Sequence, residues 1–137
     1  MFRITQLTEQ QTNYIDEQLE AYDNNYMKVR PEGEINIGIT HDGKLIAGAM
    51  ASMTAFKILY VSTVYVEESF RGQGIGRKLM DEVERQALQF GATMIRLDTF
   101  NWQGYEFYKK IGYQEVGNYK NEAENFSEHF FLKRLGH

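Results

Sequence analysis

The stretch VYVEESFRGQGIGRKLM, Val64 to Met80, puts Gly72, Gly74 and Gly76 on alternate positions where an amphipathic helix begins. Glycine is the poorest ordinary helix former, about 1 kcal/mol per residue below alanine. Behind the glycines, Ile75, Leu79, Val83, Ala87 and Phe90 recur at steps of three and four, an apolar stripe that Gly91 should stop. Ahead of them, ILYVSTVYV (Ile58–Val66) is β-rich, and beyond Gly91 MIRLDTF (Met94–Phe100) is β-rich again. Strand, glycine turn, helix and strand in that order make a parallel pair with a crossover helix.

Working outward, the flanking runs read as antiparallel. Ile35, Ile37 and Ile39 alternate with polar or small residues from Glu34 onward. Asp42-Gly43 then supplies a two-residue hairpin turn, and KLIAGAMASM (Lys44–Met53) returns as the partner. GYEFYKK (Gly104–Lys110) is a short helix ended by Gly112, and YQEVG and EHFFLKRL are two closing strands. At the other end FRITQL (Phe2–Leu7) reads as an opening strand. Thr8 and Gln11 form a capping box for a helix from Glu9, with Tyr14, Ile15, Leu19 and Tyr22 along one side. Asp23, Asn24 and Asn25 stop it, and YMKVRPEGE is an irregular connection. The expected fold is α/β (α+β) with a mixed, mostly antiparallel sheet, as one domain over residues 1–137.

Composition narrows the function. The 137 residues are 42% hydrophobic and 14% aromatic, with one proline and no cysteine, which excludes disulfides and thiolate chemistry and suits a cytoplasmic location. The N-terminus lacks a signal-peptide core and no run reaches the roughly 20 apolar residues of a membrane span. A net charge of −4 disfavours nucleic acid and favours a cationic small substrate. No metal-ligand spacing such as H-E-x-x-H occurs, and no Ser-His-Asp order. The aromatic pair Phe130-Phe131 suits either the core or a homodimer face, and both readings stay open.

RGQGIG itself has three rival readings. A flexible loop is the bland one. A dinucleotide fingerprint fails because Arg77 stands where the third glycine belongs. A Walker A loop fails because Arg71 replaces its first glycine and Arg77 its lysine. The shared physics survives these failures. A helix N-terminus offers free N–H groups and partial positive charge to phosphate oxygens, and missing Cβ atoms let a ligand reach the backbone. With Arg71 and Arg77 bracketing the turn, Arg71, Gly72, Gln73, Gly74, Ile75, Gly76 and Arg77 form a candidate pyrophosphate cradle.

Here the sequence resembles the GNAT superfamily of N-acetyltransferases, whose acetyl-CoA-binding segment carries the signature Q/R-x-x-G-x-G/A. Arg71, Gly74 and Gly76 fill its defined positions. A second element agrees: Asn101, after the strand MIRLDTF, and Tyr108, seven residues on, match the family's spacing. The resemblance runs from about Tyr60 to Gly117. Gly104 departs from the common alanine, and Glu68 from the common proline.

The resemblance implies a GNAT-like domain with two central parallel strands splayed apart and the pantetheine arm of acetyl-CoA between them. It implies transfer of the acetyl group directly to a primary amine in a ternary complex. Val64 and Val66 would offer backbone groups to the pantetheine amides while their side chains pack as core. Tyr108 would be the acid at the leaving thiolate, against a rival reading as one more core aromatic. Asn101 would reach the pantetheine, cap the short helix, or do both. Phe107 reads as packing. The amine needs a base, and ILYVSTVYV carries no carboxylate. Glu34 is the candidate, with Glu67, Glu68, His41 and His129 behind it, and a solvated surface role is open to each. The acceptor, a small cationic amine or a peptide amine, would meet AYDNNYMKVRPEGE and NYKNEAEN. A non-catalytic acyl-CoA-binding sensor is the alternative function.

Overall fold

The computed structural model describes residues 1–27 and 31–136, in two units, Met1–Arg30 and Pro31–His137. In the first unit Thr8 caps helix α1 (Glu9–Asp23). Its hydroxyl accepts from the Gln11 N–H at 3.2 Å, and the Gln11 side chain accepts from the Thr8 N–H at 3.0 Å. No residue of α1 is buried, because a single helix has no second layer in its own unit to cover Tyr14, Ile15, Leu19 and Tyr22. The strand expected over Phe2–Leu7 does not form: residues 1–8 have no regular structure. Strand backbone needs a partner for its N–H and C=O groups, and alternation along one segment does not supply one. Lys28–Arg30, inside the expected irregular connection, lie outside the described residues.

The second unit is a six-stranded sheet. β1 (Glu34–His41), β2 (Lys44–Met53), β3 (Ile58–Val66), β4 (Met94–Phe100), β5 (Gln114–Asn121) and β6 (Phe126–Arg134) stand in the order β1-β2-β3-β4-β6-β5. Every neighbouring pair is antiparallel except β3 and β4. The β1–β2 turn has positive φ at both Asp42 (50°) and Gly43 (78°), as a two-residue turn matching the strand twist requires.

Helix α2 (Ile75–Gln89) crosses over between the parallel strands, and α3 (Tyr105–Lys110) follows β4. Leu79, Met80, Val83 and Ala87 of α2 are buried in one core cluster with Leu59, Ile95, Leu97, Tyr108 and Phe131. Ile75 is half-buried and Phe90 lies at the rim, over Gly33. Past Phe90 the Ala92 N–H bonds the Ala87 carbonyl and the Gly91 N–H bonds Leu88, a Schellman closure at the expected stop. Adjacent strand residues face opposite sides, so the aromatic pair divides: Phe131 is buried and Phe130 is half-buried on the other face.

Candidate active site

The parallel pairing is short. β3 and β4 are in register only at Ile58↔Met94, Leu59↔Ile95 and Tyr60↔Arg96. From Val61 and Leu97 onward the two strands part, and a gap opens between their C-terminal halves. The cause is local. Met50 of β2 faces Thr63 and Ala51 faces Val61, which leaves Ser62 as an extra residue whose hydroxyl donates to the Met50 carbonyl at 3.2 Å. A bulge of this kind bends its strand and raises its twist. At the vertex the Tyr60 hydroxyl donates across to Asp98 at 3.2 Å, and the Arg96 guanidinium sits 4.4 Å from the Tyr60 ring. Burial, and secondarily Asp98, hold the Tyr60 hydroxyl above its ordinary pKa.

One wall of the gap is the β3 backbone. The Glu67 N–H bonds Ile46 of β2 at 2.8 Å. Backbone groups alternate in direction along a strand, so those of Val64 and Val66 face the gap. Their side chains pack against the core. The Val66 carbonyl is already engaged, because Arg71 Nε donates to it at 2.8 Å. Arg71 therefore folds back along the strand end, 5.9 Å from the Tyr65 ring.

Next comes the glycine turn. Gly72 and Gly74 have φ of +79° and +80°, where a side chain is strained. A Cβ at either would meet nothing within 4 Å, so the space above the turn is open. Gly74 is the N-cap of α2 and no side chain caps that end. The first α2 hydrogen bond closing on it is Lys78 N–H to Gly74 O, at 3.1 Å. The amides of Ile75, Gly76 and Arg77 thus form the uncovered positive end of a 15-residue helix. A Cβ at Gly76 would come within 3.1 Å of the Phe107 ring, so α3 closes against this turn.

Helix α3 sets Tyr108. The Gly104 N–H bonds the buried Thr99 hydroxyl at 3.0 Å, and the Phe100 N–H bonds the Gln103 side chain at 2.8 Å, which fixes the turn out of β4. Tyr108 is 8% exposed, with ring centroids of Phe107, Tyr113 and Phe131 at 5.1, 5.8 and 6.0 Å. Its hydroxyl has no hydrogen-bond partner among the described residues. Burial pushes its pKa up to about 12. Tyr108 keeps its proton in the fold while the unfolded chain ionises near 10, so its share of stability is complete below pH 10 and lost as pH rises through 12. Two pKa units correspond to roughly 3 kcal/mol. Urea unfolding of wild type and Tyr108→Phe at pH 9 and pH 11 should show the wild type losing more stability, by about half of that amount.

Gly104 is required by the same ring. A Cβ there would lie 2.8 Å from Tyr108 Cε2. Alanine, the commoner residue in the motif, would displace the ring at a cost of about 1–3 kcal/mol. Gly104→Ala is accordingly expected to lower the urea midpoint and to reduce turnover, measured side by side.

The remaining candidates divide. Asn101 does not cap α3. Its Oδ1 accepts from the Ser127 N–H and its N–H donates to the Ser127 carbonyl, both at 3.0 Å, so it is tied to β6. Glu34 is exposed and paired with Ser52, which faces Tyr60. It therefore stands level with the closed end of the β3–β4 pair, and the structure does not bring it to the gap. Glu67 bonds Lys44 at 3.0 Å with its second oxygen buried and unpartnered, while Glu68 is exposed. His41 is exposed beside Asp42. Sequence reasoning missed the Ser62 bulge, the Tyr60–Asp98 bolt and Thr99; each depends on register rather than on a local pattern. Among the described residues no group of three metal-ligating side chains exists, and no helix is long and apolar enough to cross a membrane.

Comparison with known proteins agrees with this architecture. A protein of Bacillus cereus described as an acetyltransferase superposes with a TM-score of 0.86 over 98% of both chains, at 32% identity. An acetyltransferase of Agrobacterium fabrum is 33% identical over 85 residues, 62% of this chain and 62% of its own, so the aligned part spans under two thirds of that relative. A coenzyme A complex of an aminoglycoside 6'-N-acetyltransferase shares the fold, with a TM-score of 0.66 at 19% identity over 90% of this chain and 84% of its own. The model of the Acetyltransferase (GNAT) family matches residues 2–113, and the chain belongs to that family.

Proposed function

We propose that the chain works as one acetyltransferase domain that moves the acetyl group of acetyl-CoA directly to a primary amine in a ternary complex. The observation that carries this reading is the continuity of an open gap with an uncovered helix end. Backbone of Val64 and Val66 lines the gap, Gly72 and Gly74 leave space above the turn, and α2 presents free amides there. The pyrophosphate would rest on the Gly72–Arg77 turn and the pantetheine along β3, with Asn101 on the opposite lip. Arg71 would either keep its bond to Val66 or exchange it for phosphate.

In this mechanism acetyl-CoA supplies an activated thioester. A β3 N–H in the gap meets the negative charge growing on the carbonyl oxygen, a contribution often worth a few kcal/mol. Tyr108 donates its O–H toward the sulfur. Thiols titrate near 8.5, so full transfer from a hydroxyl near 12 is uphill by roughly 5 kcal/mol. Tyr108 therefore acts chiefly as a hydrogen-bond donor that strengthens as charge builds; the protons that the amine gives up pass to water, and the released thiolate takes one of them to leave as the thiol. The acceptor would be a small cationic or peptide amine, which the acids and amides around Asn118–Asn125 suit.

Free-thiol release from acetyl-CoA, followed across a panel of polyamines, aminoglycosides, lysine analogues and peptides, tests the reading. Turnover with at least one amine is expected; coenzyme A binding without turnover on any would indicate a sensor instead. Gly74→Ala should weaken acetyl-CoA binding about tenfold by calorimetry, since a β-carbon at φ +80° costs about 1–2 kcal/mol and shields the amides. Unchanged binding in that variant would place the phosphates elsewhere.

A further inference from the structure

On the far side of α3 from the glycine turn's contact with Phe107, three side chains of the β5–β6 hairpin stand in one hydrogen-bonded line. Ser127 Oγ is 2.9 Å from His129 Nε2, and His129 Nδ1 is 2.5 Å from Glu115 Oε2. A carboxylate only accepts, so Nδ1 carries a proton, and in the neutral imidazole Nε2 turns its lone pair to the serine hydroxyl. Glu115 is held in turn. Tyr105 donates to Oε1 at 3.1 Å, Asn118 donates to Oε2 at 3.2 Å, and the imidazole first of all keeps the carboxyl below its usual range. The imidazole ring lies 4.4 Å from that of Tyr105, and its side chain is only 12% exposed.

This line opens onto a cavity of about 250 Å³ lined by Asn101, Lys120, Glu122, Asn125, Phe126 and Ser127. Lys120 stands directly across the ladder from Ser127. The amide nitrogen of Asn101 has no hydrogen-bond partner among the described residues, its Oδ1 being taken by Ser127 N–H. A hydroxyl on a base, a base aligned by a carboxylate, and nearby donors for an oxyanion are the parts of nucleophilic acyl transfer. Such sites are recognised by geometry and roles, whatever the order in sequence.

We propose that Ser127 is an activated nucleophile, with His129 as its base and Glu115 as the residue that positions His129, and that the cavity takes short-chain acyl esters. Ser127 Oγ adds to the ester carbonyl carbon while its proton passes to His129 Nε2. Lys120 and the Asn101 amide face the developing oxyanion, and the bond to the leaving alkoxide breaks, His129 returning the proton to it where it needs one. Water then gives a proton to His129, attacks the acyl-serine and releases the carboxylic acid, and the proton goes back to Oγ. Asn101 is the one residue shared with the proposed coenzyme A track, and Lys120, Glu122 and Asn125 lie in the stretch proposed to meet the amine, so the two activities are separated by their chemistry: ester hydrolysis needs neither coenzyme A nor an amine.

The test uses the whole chain and 4-nitrophenyl acetate, which contains no coenzyme A. Saturable 4-nitrophenol release is expected, with a transient gain of one acetyl group at Ser127 by mass spectrometry. Ser127→Ala should reduce release to the solution background and His129→Gln should lower it about 100-fold or more. Glu115→Gln should lower it less and leave substrate affinity unchanged. An organophosphorus fluoridate applied to wild type gives a readout that needs no variant to fold: it should label Ser127 in preference to Ser52, Ser62 and Ser69. No labelling, labelling spread over the four serines, or release unaffected in Ser127→Ala would overturn the proposal and leave the line as a cross-strand staple.

Discussion

Tyr108→Phe is expected to lower the turnover number for acetyl transfer by about 100- to 1,000-fold with coenzyme A affinity unchanged. The magnitude is that of removing one well-placed proton donor from a developing charge. The substitution is unusually clean here. The ring is packed among Phe107, Tyr113 and Phe131, but the hydroxyl bonds nothing among the described residues. Phenylalanine keeps the packing and drops only the O–H, so stability at neutral pH should hold or rise slightly. A structural tyrosine would behave in the opposite way, with stability lost and chemistry kept. Because burial places the hydroxyl near 12, wild-type turnover between pH 6 and 10 should show no limb that disappears in the variant. Turnover within threefold of wild type would remove Tyr108 from the chemistry.

Phe131→Ala should be the most damaging single truncation in the sheet, at about 3–5 kcal/mol. Phe131 is 1% exposed on β6, which is hydrogen-bonded on both sides, facing Leu97 of β4 and Glu115 of β5. Its ring is 6.0 Å from that of Tyr108 and 5.9 Å from that of Tyr105, so it forms the floor beneath α3. Neighbouring strands hold the backbone in place, and the vacated space cannot collapse fully. The urea midpoint should fall with an unchanged slope, and Phe131→Leu should recover most of the loss. Tyr108 loses its support in the same variant, so turnover should drop even in the folded fraction.

Much of the fold around the candidate site was legible from residues alone, and the reason is locality. A capping box closes within four residues, a two-residue turn needs only Asp42 and Gly43, and the Gly72–Gly76 turn declares an uncovered helix end without reference to the rest of the chain. The α2 stripe likewise marks its buried side because a helix face repeats by itself. Element order from Glu34 onward, the parallel pair and the motif positions all follow from interactions of this short range.

Other features waited for the tertiary structure. Whether Phe2–Leu7 joins a ladder depends on a partner, not on its alternation. The gap depends on a bulge at Ser62, which exists only relative to Met50 and Ala51 on the next strand. The hold of the Asn101 side chain on Ser127, 26 positions away, exists only across the β4–β6 ladder. Arg71 bonds the strand it follows, Gly104 answers to the ring of Tyr108, and Ser127, His129 and Glu115 align only across the β5–β6 ladder. Composition and period determine which segments become strands and helices, since those preferences act over a few residues. Register between distant strands is set when the chain closes on itself, and it alone decides which side chains share a site.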